Sequence, residues 1–186
     1  GLDFADAELV EKRSKQWGRS ICELVMRDKN HPSVIAWSVA NEPTVAGMGG
    51  MGPMGGSPQQ PPQEAVERGA ARFRAMISLA HDLDASRPAL FAAVGSRTPD
   101  SWLKESDIVC TNQYPGWYFL SGDLAQARIA LGNALDECSK FGKPVILTEF
   151  GADTVAGYHA INPEMFTEEY QAAMIEMRSE EHTSEL

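Results

Sequence analysis

Two glutamates in this 186-residue sequence each stand at the end of a short apolar run of the kind that forms a buried strand. Glu42 follows the run at 34–40, and Glu149 ends the run that starts at 145. Parallel strands end at one edge of a sheet, and in barrel enzymes the loops at that edge form the active site. Two carboxylates about 5 to 5.5 Å apart can hydrolyse a glycosidic bond with retention, one as acid/base and the other as nucleophile. We therefore take Glu42 and Glu149 as the candidate catalytic pair.

Each glutamate also has a structural explanation when it is taken alone. Glu42 could be a first-turn carboxylate that favours a helix N-terminus, and Glu149 could be a solvated residue at a strand end. Asn41 could cap the turn that follows it. The residue types alone do not decide whether these residues have a catalytic or a structural role.

The elements that must position these residues alternate along the chain. Helical spacing of apolar residues predicts helices over 5–28, 66–80 and 124–141, and a last helix starting at Asn162-Pro163-Glu164 with Asn as N-cap. Short runs predict strands over 34–40, 89–94, 107–112 and 145–150, with at most a helical turn between the middle two. The apolar run at 34–40 is rich in β-branched residues and is typical of a strand buried on both faces of a parallel sheet. Such alternation predicts an α/β fold with parallel strands. No GxGxxG or P-loop follows a strand, which favours a barrel over a doubly wound sheet.

Three stretches resemble the motifs of glycoside hydrolase family 2. The stretch 31–43 is similar to its acid/base signature, with Pro43 where the β-glucuronidases have proline and the β-galactosidases usually have serine. The stretch 109–118, followed by Ser-Gly-Asp-Leu at 121–124, resembles the β-glucuronidase segment that supplies active-site tyrosines. The stretch 146–154 is similar to the nucleophile segment that ends the seventh strand.

The resemblance implies an activity and a role for several residues. The activity is that of a retaining β-glycosidase that acts on terminal β-D-glucuronides, with Glu42 as acid/base and Glu149 as nucleophile. Asn41 would bind the sugar 2-hydroxyl, and Tyr114 would contact the nucleophile carboxylate. The other implied sugar contacts are aromatic residues that could equally belong to the core, namely Trp117 and Tyr118.

The resemblance also implies part of a barrel. By this resemblance, residues 1–177 would form strands four to seven of a (β/α)₈ TIM barrel with their helices. A complete barrel has eight strands and takes about 250 residues, so roughly half of it would be missing here. The Gly/Met/Pro-rich stretch 44–63 would be a flexible loop within this domain. The polar stretch 178–186 ends the helical periodicity, and we expect a disordered or non-native tail there. Such a fragment would be inactive by itself.

The identity of the sugar stays open at this point. Gln113 and Pro115 replace residues that are often Arg and Tyr in the glucuronidase segment. The family's Asn-x-Lys motif for the glucuronate carboxylate lies beyond the nucleophile strand, where this chain has stopped or diverged. A β-galactosidase, β-galacturonidase or β-mannosidase of the same family is the alternative, and a truncated, non-catalytic relic is the alternative from another class.

The composition of the chain limits the kinds of partner that we expect it to bind. Sixteen Lys+Arg against 26 Asp+Glu give a net charge of −10, which disfavours nucleic acid and anionic membrane surfaces. The three cysteines, Cys22, Cys110 and Cys138, lack zinc-ligand spacing, and we expect buried thiols. We expect no metal and no cofactor, a small glycoside as substrate, a homo-oligomeric parent, and a soluble protein for which the cytoplasm is favoured.

Overall fold

The computed structural model of the protein describes residues 4–45, 61–95 and 98–181. Five helices and four strands alternate in this part of the chain. The helices are α1 Ala7–Asp28, α2 Gln63–Leu83, α3 Asp100–Leu103, α4 Leu124–Ser139 and α5 Glu168–Glu181. The strands are β1 Trp37–Asn41, β2 Ala89–Ala93, β3 Val109–Asn112 and β4 Val145–Glu149.

The strands form one sheet in the order β1-β2-β3-β4. β1 pairs with β2, and β2 with β3, in parallel. The sequence therefore predicts the α/β class and the parallel sheet correctly. The four-residue helix α3 is the helical turn expected between the middle strands.

Burial differs between the central and the edge strands. Every residue of β2 and β3 is buried, as expected for strands covered on both faces. β1 and β4 alternate instead, and Ile35, expected in the first strand, precedes it and is 77% exposed. The prediction of a strand buried on both faces is wrong for β1, because β1 is an edge of the described sheet.

The chain divides into two compact units, each with its own core. The first unit comprises Gly1–Thr111 and Phe141–Ile146, and the second comprises Asn112–Lys140 and Leu147–Leu186. In the first unit, aromatic rings from α1, α2, β2 and α3 pack together, with Phe73 and Phe91 at a centroid distance of 4.3 Å. In the second unit, α4, α5 and the segment after β4 bury Ala127, Ala152, Tyr170, Met174 and Met177.

The observed helix starts show which of the N-cap residues in the sequence do cap a helix. Asp6 caps α1 by accepting a hydrogen bond from the Leu9 N–H at 2.9 Å, and Asp123 caps α4 in the same way. The start predicted at Asn162 is wrong, since α5 begins at Glu168. Thr167 caps it by accepting from the Tyr170 N–H at 3.1 Å.

The physical reason for the late start of α5 lies in the segment before it. Phe166 has a φ of 71° and pairs with Thr154 in an isolated β-bridge. This pairing holds the chain outside the helical conformation until Thr167, where a buried hydroxyl replaces the expected Asn162 cap.

Two predicted segments lie mostly outside the described residues. Residues 46–60 of the predicted loop 44–63 lie outside the described residues, whereas Gln63 begins α2. Residues 182–186 of the predicted tail 178–186 also lie outside the described residues. Helix α5 runs to Glu181, past the predicted domain boundary at 177. The origin of the tail stays a prediction.

The cysteines are free thiols. Cys110 and Cys138 are buried as expected, and burial raises the pKa of the Cys110 thiol to about 11. Cys22 is only partly buried, contrary to expectation, because it lies at the margin of the apolar face of α1. No helix in the described ranges is long and apolar enough to cross a bilayer.

Candidate active site

The second unit brings Tyr114 and Glu149 together. Glu149 is the last residue of β4, and Tyr114 lies two residues after the end of β3. The Tyr114 hydroxyl donates to Glu149 Oε2 at 2.7 Å. A phenol that donates to a carboxylate stabilises its charged form, which is the form that a nucleophile requires.

Neighbouring contacts fix the backbone that carries this pair. The Gln113 N–H donates to the Glu149 carbonyl at 2.9 Å, so β3 and β4 stay joined at the level of the glutamate. One residue earlier on each strand, Thr148 Oγ1 donates to Asn112 Oδ1 at 2.7 Å. Asn112 is buried, so this bond holds the ends of the two strands together.

The two predicted aromatic residues of the sugar subsite lie beside Tyr114. The rings of Tyr114 and Tyr118 meet edge to face at 5.1 Å, and Trp117 lies 6.4 Å from Tyr118. Tyr118 is 59% exposed and is therefore not a core residue, whereas Trp117 is half-buried against the core of the second unit.

Tyr170 of α5 holds the loop that carries these aromatics, and sequence reasoning missed it. Its buried hydroxyl donates to the Gly116 carbonyl and accepts from the Gly122 N–H at 3.0 Å. Gly116 has a φ of 90°, a conformation that favours glycine. Tyr170 follows Gly116 by 54 residues, and only its helical spacing marks it in the sequence.

A cavity of about 310 Å³ opens beside this group of residues. Aromatic side chains form much of its wall, and Asp153 is the charged residue among the described residues that line it. Such a wall suits the apolar C–H face of a pyranose ring. Its lining includes Tyr114, Trp117, Tyr118, Phe150 and Asp153.

The first unit holds the other two predicted residues, Asn41 and Glu42. Asn41 ends β1, and Glu42 follows it with its N–H donated to the Ala92 carbonyl at 2.8 Å. Glu42 has a φ of 46°, a left-handed conformation that costs roughly 1 to 3 kcal/mol for a residue other than glycine. Strain of this kind persists where surrounding contacts impose it, and it is found most often at functional sites.

A second cavity, of about 280 Å³, is lined by Asn41, Glu42 and aromatic residues of the first unit. It shares no lining residue with the cavity beside Tyr114. Each unit therefore presents one predicted carboxylate at the end of a parallel strand, next to a cavity. Within the described residues, no group of three or more His, Cys, Asp or Glu side chains could hold a metal ion.

The fold and the site define a family. The TIM barrel domain of the family 2 glycosyl hydrolases matches residues 10–184. The chain belongs to this family. The relatives that it resembles are β-glucuronidases. That of Streptococcus agalactiae is 39% identical over 165 residues, which cover 86% of this chain and 24% of the relative.

Other relatives give the same result. The β-glucuronidase of Canis lupus familiaris is 36% identical over 155 residues, covering 83% of this chain and 21% of the relative. The structure of Bifidobacterium dentium β-glucuronidase complexed with coumarin-3-O-glucuronide matches with a TM-score of 0.76 and 36% identity, over 96% of this chain and 26% of that one. The chain thus spans about a quarter of the length of the relatives that it matches.

Proposed function

We propose that this chain is the part of a retaining β-glucuronidase that carries both catalytic carboxylates. Glu149 attacks the anomeric carbon, and Glu42 protonates the leaving oxygen and then activates water. The observation that carries the proposal is the hydrogen bond of 2.7 Å from Tyr114 to Glu149. The family membership and the names of the relatives support the same assignment.

In this proposal the two strand ends deliver the two carboxylates to one substrate. In a (β/α)₈ barrel the residues that follow several different strands converge at the C-terminal face. Asn41 precedes the acid/base and binds the sugar 2-hydroxyl, a contact that strengthens in the oxocarbenium-like transition state. Trp117 and Tyr118 contact the pyranose ring.

The chain is proposed to be one segment of a longer polypeptide, with 1–177 contributing strands four to seven of the barrel. The relatives are about four times as long, which supports this reading. The cavity beside Tyr114 offers a uronate carboxylate no cation among its described lining residues. Preference for a glucuronide therefore requires a cationic group from another part of the polypeptide.

The first experiment measures kcat/KM of the full-length protein on an aryl β-D-glucuronide and on the matching β-D-galactoside. Strong preference for the glucuronide supports the proposal. Preference for the galactoside keeps the two glutamates in their roles and reassigns the sugar. Hydrolysis of neither glycoside would overturn the proposed function.

The roles of the carboxylates are tested by substitution. Glu149→Gln removes the nucleophile, and we expect kcat to fall by a factor of about 10³ or more. Glu176→Gln is the matched control, since Glu176 is an exposed residue of α5 and its loss should leave kcat within about twofold. Appreciable activity in the Glu149 variant would contradict its assignment.

A further inference from the structure

β1 contains one extra residue just before the proposed acid/base. The N–H of Trp37 donates to the Pro88 carbonyl, and the N–H of Glu42 donates to the Ala92 carbonyl. The donors are five residues apart and the acceptors four, whereas in a regular parallel pair both separations are equal and even. The pairing accordingly shifts its register between Ser38 and Asn41. This is a β-bulge.

A bulge of one residue reverses the alternation of side chains after it. The side chains of Asn41 and Glu42 are therefore on the opposite face of the sheet from the one that each would occupy in an uninterrupted strand. The direction of the Glu42 side chain thus depends on whether the bulge is maintained. Its left-handed φ of 46° is part of the same local distortion.

Trp17 of α1 contacts the middle of this bulge. Its indole Nε1 donates to the Val39 carbonyl at 2.6 Å. The Trp17 ring is held in turn by an edge-to-face contact with Phe73 at 5.4 Å. Trp17 is half-buried and lies 22 residues before Val39, so a helix outside the sheet reaches the strand at the point where its register changes.

We propose that Trp17 is a positioning residue for general acid catalysis: its indole N–H fixes the β1 bulge and through it the direction of the Glu42 carboxyl. This inference rests on the proposed function of Glu42. Trp17 lines the same cavity as Glu42, and in this proposal its role is to position Glu42 rather than to bind the substrate. It acts by keeping one conformation of residues 39–42.

The chain supplies a matched pair of variants. Trp17→Phe keeps an aromatic ring against Phe73 and removes the N–H. Trp102→Phe is the control, because Trp102 Nε1 also donates to a backbone carbonyl of the first unit, that of Val66 at 2.7 Å. Trp102 is fully buried in the aromatic core and does not contact β1 through this bond, so its loss affects folding rather than the bulge.

The first readout is kcat/KM of the full-length protein on two aryl β-D-glucuronides with different leaving groups. Phenol leaves only with the help of a general acid, and 2,4-dinitrophenol leaves almost without it. For Trp17→Phe we expect a loss of about tenfold or more on the phenyl substrate and less than about threefold on the dinitrophenyl substrate. Trp102→Phe should lower both values by the same factor.

The second readout is amide hydrogen exchange in the full-length protein, and it does not need activity. Trp17→Phe should speed the exchange of the Glu42 N–H by about tenfold relative to Trp102→Phe. Equal losses on both substrates, together with unchanged exchange at Glu42, would overturn the role of Trp17. An unsubstituted protein that hydrolyses no glycoside overturns the proposed function instead, while the exchange result still decides whether Trp17 holds the bulge.

Discussion

At the scale of single residues, the Tyr114–Glu149 pair joins two parts of the sequence that are 35 residues apart. The hydroxyl donates to a carboxylate oxygen of the proposed nucleophile, and the Gln113 N–H donates to the backbone carbonyl of the same residue. Tyr114 thus restricts the orientation of the carboxylate, and Gln113 restricts the backbone that carries it. The reactivity of the carboxylate therefore depends on the loop that carries Tyr114 as well as on β4.

Tyr114→Phe tests this dependence, since it removes the hydroxyl and keeps the ring that contacts Tyr118. A hydrogen bond to a charged group contributes about 1.5 to 3 kcal/mol, so we expect kcat/KM on an aryl glycoside to fall by about 10- to 100-fold. Tyr158→Phe is the control, because Tyr158 is an exposed residue of the same unit. Equal activity of the two variants would show that the Tyr114 hydroxyl does not assist the nucleophile.

Also at this scale, His159 fastens the segment after β4 to the start of α5. His159 Nδ1 lies 2.8 Å from Glu169 Oε1, and the Ala160 N–H donates to the other carboxylate oxygen at 3.1 Å. The hydrogen bond with Glu169 raises the pKa of His159, and the charges of Glu169 and Glu168 add to this effect. The same hydrogen bond holds the pKa of Glu169 below its usual value.

The raised pKa of His159 makes the stability of this segment depend on pH. A histidine with a raised pKa contributes stability that is fully present below its unfolded pKa of about 6.5, and this stability is lost as the pH rises through the folded pKa. The segment after β4 should therefore loosen on the alkaline side. Glu169→Gln should return the pKa of His159 toward its ordinary value in an NMR titration. An unchanged titration would show that Glu169 is not the cause.

At the scale of elements, two helical glycines face very different surroundings. Gly69 of α2 lies against Trp102, and a Cβ added to it would overlap the Trp102 ring at Cζ2. Gly18 of α1 has more space, since the nearest atom to an added Cβ is Leu79 Cδ2 at 3.6 Å. The close approach of α2 to Trp102 thus requires glycine at 69 and not at 18.

Replacing each glycine by alanine in turn separates the effect of core packing on stability from the effect of helix propensity. Gly69→Ala should lower the free energy of unfolding by about 1 to 3 kcal/mol, because the added methyl group overpacks the core. Gly18→Ala should raise it by up to about 1 kcal/mol, because alanine favours the helix and only an ordinary contact is added. Urea unfolding followed by circular dichroism measures both. Stabilisation by both substitutions would show that Trp102 can move away from α2 at little cost.

The helix ends show how far local sequence signals reach. Asp6 and Asp123 cap their helices through bonds three residues along the chain, a range over which residue type decides the outcome. Asn162-Pro163-Glu164 has an equally good local signal and fails. There the pairing of Thr154 with Phe166, twelve residues apart, determines the backbone instead. The sequence of residues 162–168 alone cannot reveal this pairing, because Thr154 lies outside it.

At the scale of the whole molecule, the sequence predicts what lies on short motifs and misses what acts across the fold. The candidate carboxylates stand at the ends of predicted strands, and Tyr114 lies in a segment that resembles a family motif. The alternation of helices and strands predicts the parallel sheet. Trp17 and Tyr170 are not visible in this way, because their hydrogen bonds reach partners 22 and 54 residues away. In the sequence both read as apolar positions of a helix, and only the packed structure shows the polar atom that each one uses.

The sheet has two edge strands in the described part of the chain, and large apolar side chains are exposed in or beside them. Ile35, just before β1, is 77% exposed, and Ile146 of β4 is 39% exposed. Phe150, just after β4, is 48% exposed. Edge strands with exposed apolar side chains offer unpaired backbone groups to a second chain.

We therefore predict that the 186-residue chain self-associates when it is purified alone. Ile146→Lys places a charge on β4 and should lower the mean molar mass in light scattering coupled to size-exclusion chromatography, because an edge lysine opposes strand pairing. Met26→Lys is the control, since Met26 is 55% exposed but lies on α1, where no strand edge is available. A similar effect of both substitutions would assign the association to general hydrophobicity. A monomeric chain that melts cooperatively would show that the edges of this sheet are already protected.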